Sequence, residues 1–263
     1  MSSPTSAPGS RRGEMRAILT YHSIDDSGSP ISVAPAEFRA HLRWLQSGAV
    51  RVVPLAELAT LPPETEAVAI TFDDAFQNFA TEAAPLLHEY GLPATLFVVS
   101  GRVGRDNAWG DRPDPRVPTL PLLDWTGLGW LVEEGIEIGA HSRTHPHLTR
   151  ISPAMLEDEL LGSADEIRRK LGLVAREIAY PYGDVSAAVV SATRRHFVRG
   201  YTTQLRGLTR GEDPFRIPRL DMFYLRAPGR LEGWGSARFG QRLWFRAQAR
   251  RLRQVLSGPA GGW

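Results

Sequence analysis

The apolar residues of this chain fall into short continuous runs, separated by stretches with helical period. Residues 16–21 (RAILTY) read as a buried strand that delivers His22 at its C-terminal end. Residues 34–48 carry Phe38, Leu42 and Leu45 at helical spacing, in a helix that begins at Pro35. RVVPLAEL (51–58) adds a short strand and the start of another helix. AVAITF (67–72) is the next strand and ends at Asp73 and Asp74. A helix over 81–90, stopped by Gly91, leads to the strand ATLFVVS (94–100).

A polar connection rich in Gly and Pro spans 101–121, and in a parallel α/β fold such a loop is a candidate wall of a site. Beyond it come a helix over 123–134, the strand IEIGA (136–140) ending at His141, and a long helix from Ser152 or Pro153 to Leu171, closed by Gly172. REIAYPYG (176–183) is a strand and turn, 186–197 a helix, and two strands lie near 200–203 and 217–222. Apolar strands alternating with helices predict a parallel sheet covered on both faces. Six or seven such strands suit a barrel-like α/β arrangement, with an open sheet as the alternative. Both designs place ligands at the C-terminal ends of strands.

A length of 263 residues suits one α/β domain, with a disordered tail over 1–15, a folded domain over 16–235, and a basic helix and tail over 236–263. The absence of cysteine excludes disulfides, thiolate catalysis and thiolate-ligated metals. A net charge of +2, with Lys170 as the only lysine, gives no ground for nucleic-acid binding. The opening residues lack the apolar core of a signal peptide, and no run approaches the ~20 apolar residues of a spanning helix, so a cytoplasmic location is expected. Arg238, Arg242, Arg246 and Arg250 recur every four residues. Such a helix ordinarily covers the barrel with its apolar side and leaves the arginines in water; peripheral contact with an anionic membrane is the alternative.

Four strand ends carry the polar residues of interest: His22, Asp73 with Asp74, His141, and the turn Tyr180-Pro181-Tyr182-Gly183. Neighbouring residues on a regular strand point to opposite faces, so the two aspartates are expected to do different work, one binding a metal and one taking a proton from water. A solvated turn capping the next helix is the alternative for that dipeptide alone. His141 and His145, four residues apart, can turn both imidazoles to one ion. Two histidines and one carboxylate leave positions open for water, as a catalytic zinc or related divalent ion requires. Ser142 is a candidate to orient a ligand, and His147 a packing or capping residue. His41, His88 and His196, inside helical segments, are read as ordinary surface or partly buried residues. Trp109 and Tyr182 can equally stack on a sugar or pack, whereas Trp125 and Tyr180 are read as core.

With these residues in view, the chain over 16–224 resembles the NodB-type polysaccharide deacetylases, carbohydrate esterase family 4. Their first motif corresponds to TFDD at 71–74 and their second to HSRTH at 141–145. The resemblance implies a distorted (β/α) barrel of about seven parallel strands. It implies Asp73 as general base and Asp74, His141 and His145 as ligands of one divalent ion: zinc, or else cobalt, nickel or manganese. Two features depart from the family pattern. Ala179 stands where the base-orienting arginine is usual, and no histidine after His196 can serve as the late general acid.

AYPYG and the early YHSI resemble the subgroup of poly-N-acetylglucosamine deacetylases, in which the acid histidine lies at the front of the domain; this makes His22 the acid. Arg219 is a candidate to take over the orientation of Asp73, with a plain ion pair to Asp221 or Glu212 as its more ordinary expectation. The implied reaction is removal of an acetyl group from an N-acetylated sugar or glycan, the backbone N–H of Tyr182 being a candidate oxyanion donor. The alternatives are an O-acetyl ester or non-sugar C–N bond as substrate, and an inactive carbohydrate-binding homologue.

Overall fold

In the computed structural model, which describes residues 15–109 and 114–256, the apolar runs become parallel strands. The elements follow in the order β1 (Arg16–Tyr21), β2 (Ser23–Ile24), β3 (Ser32–Val33), α1 (Pro35–Gln46), β4 (Arg51–Val52), α2 (Leu55–Leu58), β5 (Ala67–Phe72), α3 (Ala84–Glu89), β6 (Ala94–Val98), α4 (Trp125–Glu133), β7 (Glu137–Ala140), α5 (Pro153–Leu171), β8 (Glu177–Ala179), α6 (Ala187–Thr193), β9 (Arg199–Tyr201), β10 (Leu220–Asp221) and α7 (Ala237–Leu256). The tail expected over 1–15 lies, Met15 apart, outside the described residues, as do 110–113 of the polar connection and 257–263.

Seven strands run β10-β1-β5-β6-β7-β8-β9, all parallel, with β4 also paired to β5. After β9 the chain returns as one short segment that touches both edges of this sheet. Ile217 bridges Tyr201 of β9, and three residues later Leu220 pairs with Leu19 of β1. The result is the expected distorted half-barrel of about seven strands, drawn together by residues 217–221.

Side chains alternate along each strand, and that alternation fills the interior. Ile18, Ala67, Ala69, Phe97, Ala179, Tyr201 and Ile217 form the inner cluster. The opposite faces of β1, β5 and β6 present Leu19, Ile70 and Leu96 to Phe38, Leu42 and Leu45 of α1 and to Leu128 and Leu131 of α4. Leu156, Leu160 and Ile167 of α5 join Val189 of α6 over Ile178 and Tyr180. Space inside is tight: a Cβ on Gly139 would come within 2.4 Å of the Phe97 ring.

Helix ends follow local chemistry. Ser152 caps α5 by accepting the Met155 N–H at 3.3 Å, and Gly172 closes it at φ 70°. The helix expected over 81–90 begins earlier, as a π-type turn over Phe79–Ala83 before α3. Pro85 has no N–H to give to residue 81, so the hydrogen-bond ladder shifts there. The helix expected over 186–197 stops at Thr193, and His196 turns aside to pair with Glu157 at 2.6 Å.

α7 covers the barrel as expected, burying Phe239 and Leu243 and exposing Arg238 and Arg242. Arg246 and Arg250 depart from that expectation and are half-buried. Arg250 donates two hydrogen bonds to Thr203, because the helix brings it over the barrel mouth. No helix among the described residues is long and apolar enough to cross a membrane.

His41 is more deeply placed than its sequence context implied. It is buried on α1, within hydrogen-bond distance of the Tyr21 hydroxyl at 3.1 Å and the Leu225 carbonyl at 3.3 Å. Burial pulls its pKa from 6.5 to about 4, with the bond to Leu225 acting against it. The unfolded chain therefore takes up this proton first, so His41 leaves stability untouched above pH 6.5 and erodes it as the pH falls from 6.5 toward 4. Urea denaturation of wild type and His41→Phe should show the stability difference between them shifting in favour of the variant across that window. A difference independent of pH would refute the buried neutral imidazole.

Candidate active site

The interior face of each strand continues, by simple alternation, into a polar residue at its C-terminal end. Ile18 and Thr20 on β1 lead to His22, Ala69 and Thr71 on β5 lead to Asp73, and Gly139 on β7 leads to His141. The ladders hold at these ends: the Asp73 N–H donates to the Tyr21 carbonyl at 2.9 Å, and the His141 N–H to the Val98 carbonyl at 2.8 Å. His22 Nε2 lies 3.8 Å and His141 Nε2 4.0 Å from Asp73 Oδ2.

Asp74 and His145 arrive by a different route. Among the described residues, positive φ occurs at five that are not glycine: Asp74 (73°), Ala75 (61°), Ser142 (62°), His145 (64°) and Tyr182 (60°). All five stand in turns after β5, β7 or β8. A left-handed conformation is disfavoured for such residues and persists where the surroundings enforce it. The expectation that neighbouring aspartates must face apart assumed a regular strand, and the strand ends at Phe72, before both of them. The turn at Asp74 brings its Oδ1 to 3.4 Å from His141 Nε2 and 3.5 Å from His145 Nε2.

The HSRTH turn is held from outside. Ser142 Oγ accepts the His145 N–H at 3.0 Å, so Ser142 shapes the turn through the backbone. Glu159 of α5, buried, accepts the N–H groups of Arg143 and Thr144, both at 2.8 Å, and the Thr144 hydroxyl. Sequence reasoning passed over Glu159; its signal was a carboxylate among the inward positions of an amphipathic helix. His141 Nδ1 stands 2.8 Å from the Ala179 carbonyl, and donation there leaves Nε2 as the free lone pair. Position 179 thus contributes its backbone to the site.

Arg219, 1% exposed, makes a two-pronged contact with Asp73, Nη1–H to Oδ1 and Nη2–H to Oδ2, both at 2.7 Å. Its Nε–H donates to the Thr202 carbonyl at 3.2 Å, and its guanidinium lies over the Phe97 ring at 5.5 Å. The more ordinary expectation for Arg219, a pair with Asp221 or Glu212, is corrected. Asp221 instead accepts the Phe223 N–H at 3.0 Å, and Glu212 pairs with Arg206. The closing segment 217–221 passes through the barrel mouth, and this carries the guanidinium to Asp73.

Charge separates the two carboxylates. Burial would raise Asp73, but Arg219 and His141 outweigh it and bring its pKa down to about 2. Asp74 is pushed well above the ordinary carboxylate range by burial and by Asp73, with Arg219 acting weakly against. Neither Asp74 oxygen has a hydrogen-bond partner among the described residues. Burial takes His141 down to about 4 and His145 well below its ordinary value, so both imidazoles are neutral donors. The ligand atoms of Asp74, His141 and His145 lie within 4.8 Å of one another. A buried carboxylate without hydrogen bonds beside two neutral imidazoles fits a divalent cation, and the donor set is one that zinc accepts.

The site opens into a cavity of about 120 Å³, whose wall includes His22, Asp73, His141, Tyr182, Tyr224 and Arg250. Arg116, from the polar connection, also lines it. Tyr182 stacks on His147 at 4.0 Å between ring centroids and meets His145 edge-on at 4.7 Å; His147 in turn contacts Asp184 at 2.6 Å. Trp109, 9% exposed, lies against His145 at 4.3 Å between ring centroids. Trp125 is partly buried and Tyr180 fully buried.

The polysaccharide deacetylase family model matches residues 60–201, more than half of the chain. The chain belongs to that family. It is 25% identical over 203 residues to the poly-beta-1,6-N-acetyl-D-glucosamine N-deacetylase of Staphylococcus epidermidis, covering 72% of this chain and 67% of the relative. Among solved structures, IcaB from Ammonifex degensii superposes with a TM-score of 0.70 at 23% identity, over 88% of this chain and 98% of that one. The polysaccharide deacetylase BC0361 from Bacillus cereus superposes with a TM-score of 0.66 at 24% identity, over 79% of this chain. The match spans 64% of the Bacillus cereus chain, so this chain corresponds to less than two thirds of that protein.

If the three-residue cluster binds a cation, zinc at 100 times its Kd should stabilise the fold by about 2.7 kcal/mol. Asp74→Ala should abolish both that gain in melting temperature and the one-to-one metal content read by elemental analysis. Undiminished metal content in the variant would dismiss the cluster as a ligand set.

Proposed function

We propose that this protein hydrolyses the N-acetyl group of an N-acetylated sugar unit in a glycan, releasing acetate and a free amine. The observation that carries this reading is the cluster of Asp74, His141 and His145 at the strand ends, whose two imidazoles line one cavity together with Asp73 and His22. Asp74, His141 and His145 are assigned to hold one divalent ion, zinc first among candidates. When bound, such an ion polarises an acyl oxygen and acidifies a water, so that a base as weak as Asp73 suffices.

Asp73 takes the proton of the attacking water through the oxygen that faces His22 and His141. Arg219 holds that carboxylate ionised and fixes its plane through two parallel hydrogen bonds, which is the role of an arginine usually found at the position of Ala179. His22 gives its proton to the departing amine. Burial lowers the His22 pKa, with Asp73 opposing, so the imidazolium is disposed to release its proton there. Tyr182 walls the cavity, and its backbone N–H is the candidate oxyanion donor. Trp109 braces His145. An acid at the front of the chain, in the role proposed for His22, supports assignment to the poly-N-acetylglucosamine deacetylase-like subgroup.

Mass spectrometry of zinc-loaded protein incubated with N-acetylglucosamine oligomers, acetylated xylan and small amides tests the reading: loss of one acetyl from the oligomers supports it, and loss only from xylan moves the activity to esters. Asp73→Asn should keep its metal and lose roughly 10²–10⁴-fold in turnover, and His22→Ala should lose turnover with metal affinity little changed. Metal loss in Asp73→Asn would place Asp73 among the ligands instead. Arg219→Ala leaves a buried charge unpaired, so it should destabilise by ~3–5 kcal/mol, lower kcat, and move the acid limb of the pH–rate profile upward. An unchanged limb and kcat would remove Arg219 from this role.

A further inference from the structure

Tyr182, Thr203 and Arg250 belong to two walls at once. They line the active-site cavity, and they line a larger groove of about 500 Å³ between α7 and residues 203–207. The groove has the size of a small-molecule site, ~300–1,000 Å³. Through these three shared residues it adjoins the cavity that the deacetylase reading gives to the acetyl group.

Its lining suits a sugar ring. Trp244 of α7, 57% exposed, offers an aromatic face, while Gln204 and Gln248 offer amides that both donate and accept. The charges are more specific. Among the groove's described residues, Asp184 is engaged by His147 and Arg206 by Glu212. Arg250 stands at the junction with the cavity, and its hydrogen bonds go to the carbonyl and Oγ1 of Thr203, both at 3.0 Å. No carboxylate of a described residue lies within 4 Å of it. By contrast Arg116, the other surface guanidinium on the cavity wall, is clamped by Asp114 at 2.5 Å. A guanidinium has five N–H donors, and Thr203 orients this one while leaving donors to spare.

We propose that the groove is a second substrate subsite, resting on the deacetylase reading above. It takes the unit next to the N-acetylated sugar, and Arg250 binds an anionic group on that unit. The shared chemistry is a negatively charged oxygen cluster, either the carboxylate of a uronic acid or a phosphate, both of which a guanidinium grips in two-pronged fashion. Trp244 supports the ring of that unit, and Thr203 ties the position of Arg250 to the Tyr182 turn through its own hydrogen bond to the Tyr182 carbonyl, 3.3 Å long.

The test uses three probes with zinc-loaded protein: a heparosan tetrasaccharide, in which N-acetylglucosamine alternates with glucuronate; N-acetylglucosamine 1-phosphate; and neutral chitotetraose. Affinity is read by isothermal titration in the slow Asp73→Asn variant, and acetate release in the wild type. The expected result is at least about tenfold tighter binding of a charged probe than of chitotetraose. Heparosan preference identifies a uronate and sugar-phosphate preference a phosphate. Arg250→Gln, which keeps the hydrogen bonding but not the charge, should abolish the preference, and Arg250→Lys should restore part of it. Trp244→Ala, at an exposed position, should weaken the tetrasaccharide far more than the sugar phosphate. Equal affinity for charged and neutral probes, or a preference that survives Arg250→Gln, overturns the subsite. A preference lost in Arg250→Gln without acetate release from any probe upholds the subsite and sinks the deacetylase reading; release from chitotetraose and heparosan alike, without a charge preference, does the reverse.

Discussion

Two carboxylates on consecutive residues, Asp73 and Asp74, are each 1% exposed. Like charges this close in a buried site cannot both remain ionised without compensation, and the surrounding structure is arranged to compensate them differently. Arg219 satisfies Asp73 with both of its terminal nitrogens. Asp74 is left to two neutral imidazoles, a setting that fits a cation. The proposed division of labour between base and ligand therefore rests on what each carboxylate is paired with, since the two are chemically identical.

The turns around the cavity bear the cost of this arrangement. Left-handed backbone at Asp74, Ser142, His145 and Tyr182 is paid out of the packing that enforces it. Glu159 anchors the HSRTH turn from α5, and the loop after β6 donates its Gly101 N–H to the Arg143 carbonyl at 2.8 Å. A helix on the outside of the barrel thereby determines where an imidazole points inside it. Substitutions at Glu159 belong with those at the site itself, although its side chain touches neither Asp74 nor either histidine.

Much of this was legible in the sequence, for reasons that differ by residue. His22, Asp73 and His141 follow from strand alternation alone, because each continues the inward face of an apolar run. His141 and His145 carried the further signal of spacing, although the backbone between them is a left-handed turn rather than a helical one. The partner of Arg219 was not legible. It lies 146 residues away, and Asp221 and Glu212 were nearer in sequence and equally charged. Only the course of the closing segment across the mouth decides between them. Arg250 was hidden for a similar reason, since a four-residue arginine repeat does not reveal which member a helix turns inward.

The segment that carries Arg219 is also the one that bridges the two edges of the sheet, Ile217 to Tyr201 and Leu220 to Leu19. A chain emerging from the ribosome has both carboxylates and both imidazoles in hand well before it has residues 217–221. Until that segment docks, Asp73 has no guanidinium and the sheet has two unpaired edges. Closing the barrel and giving Asp73 the counter-charge that sets it apart from Asp74 are then one event, carried out by the same five residues.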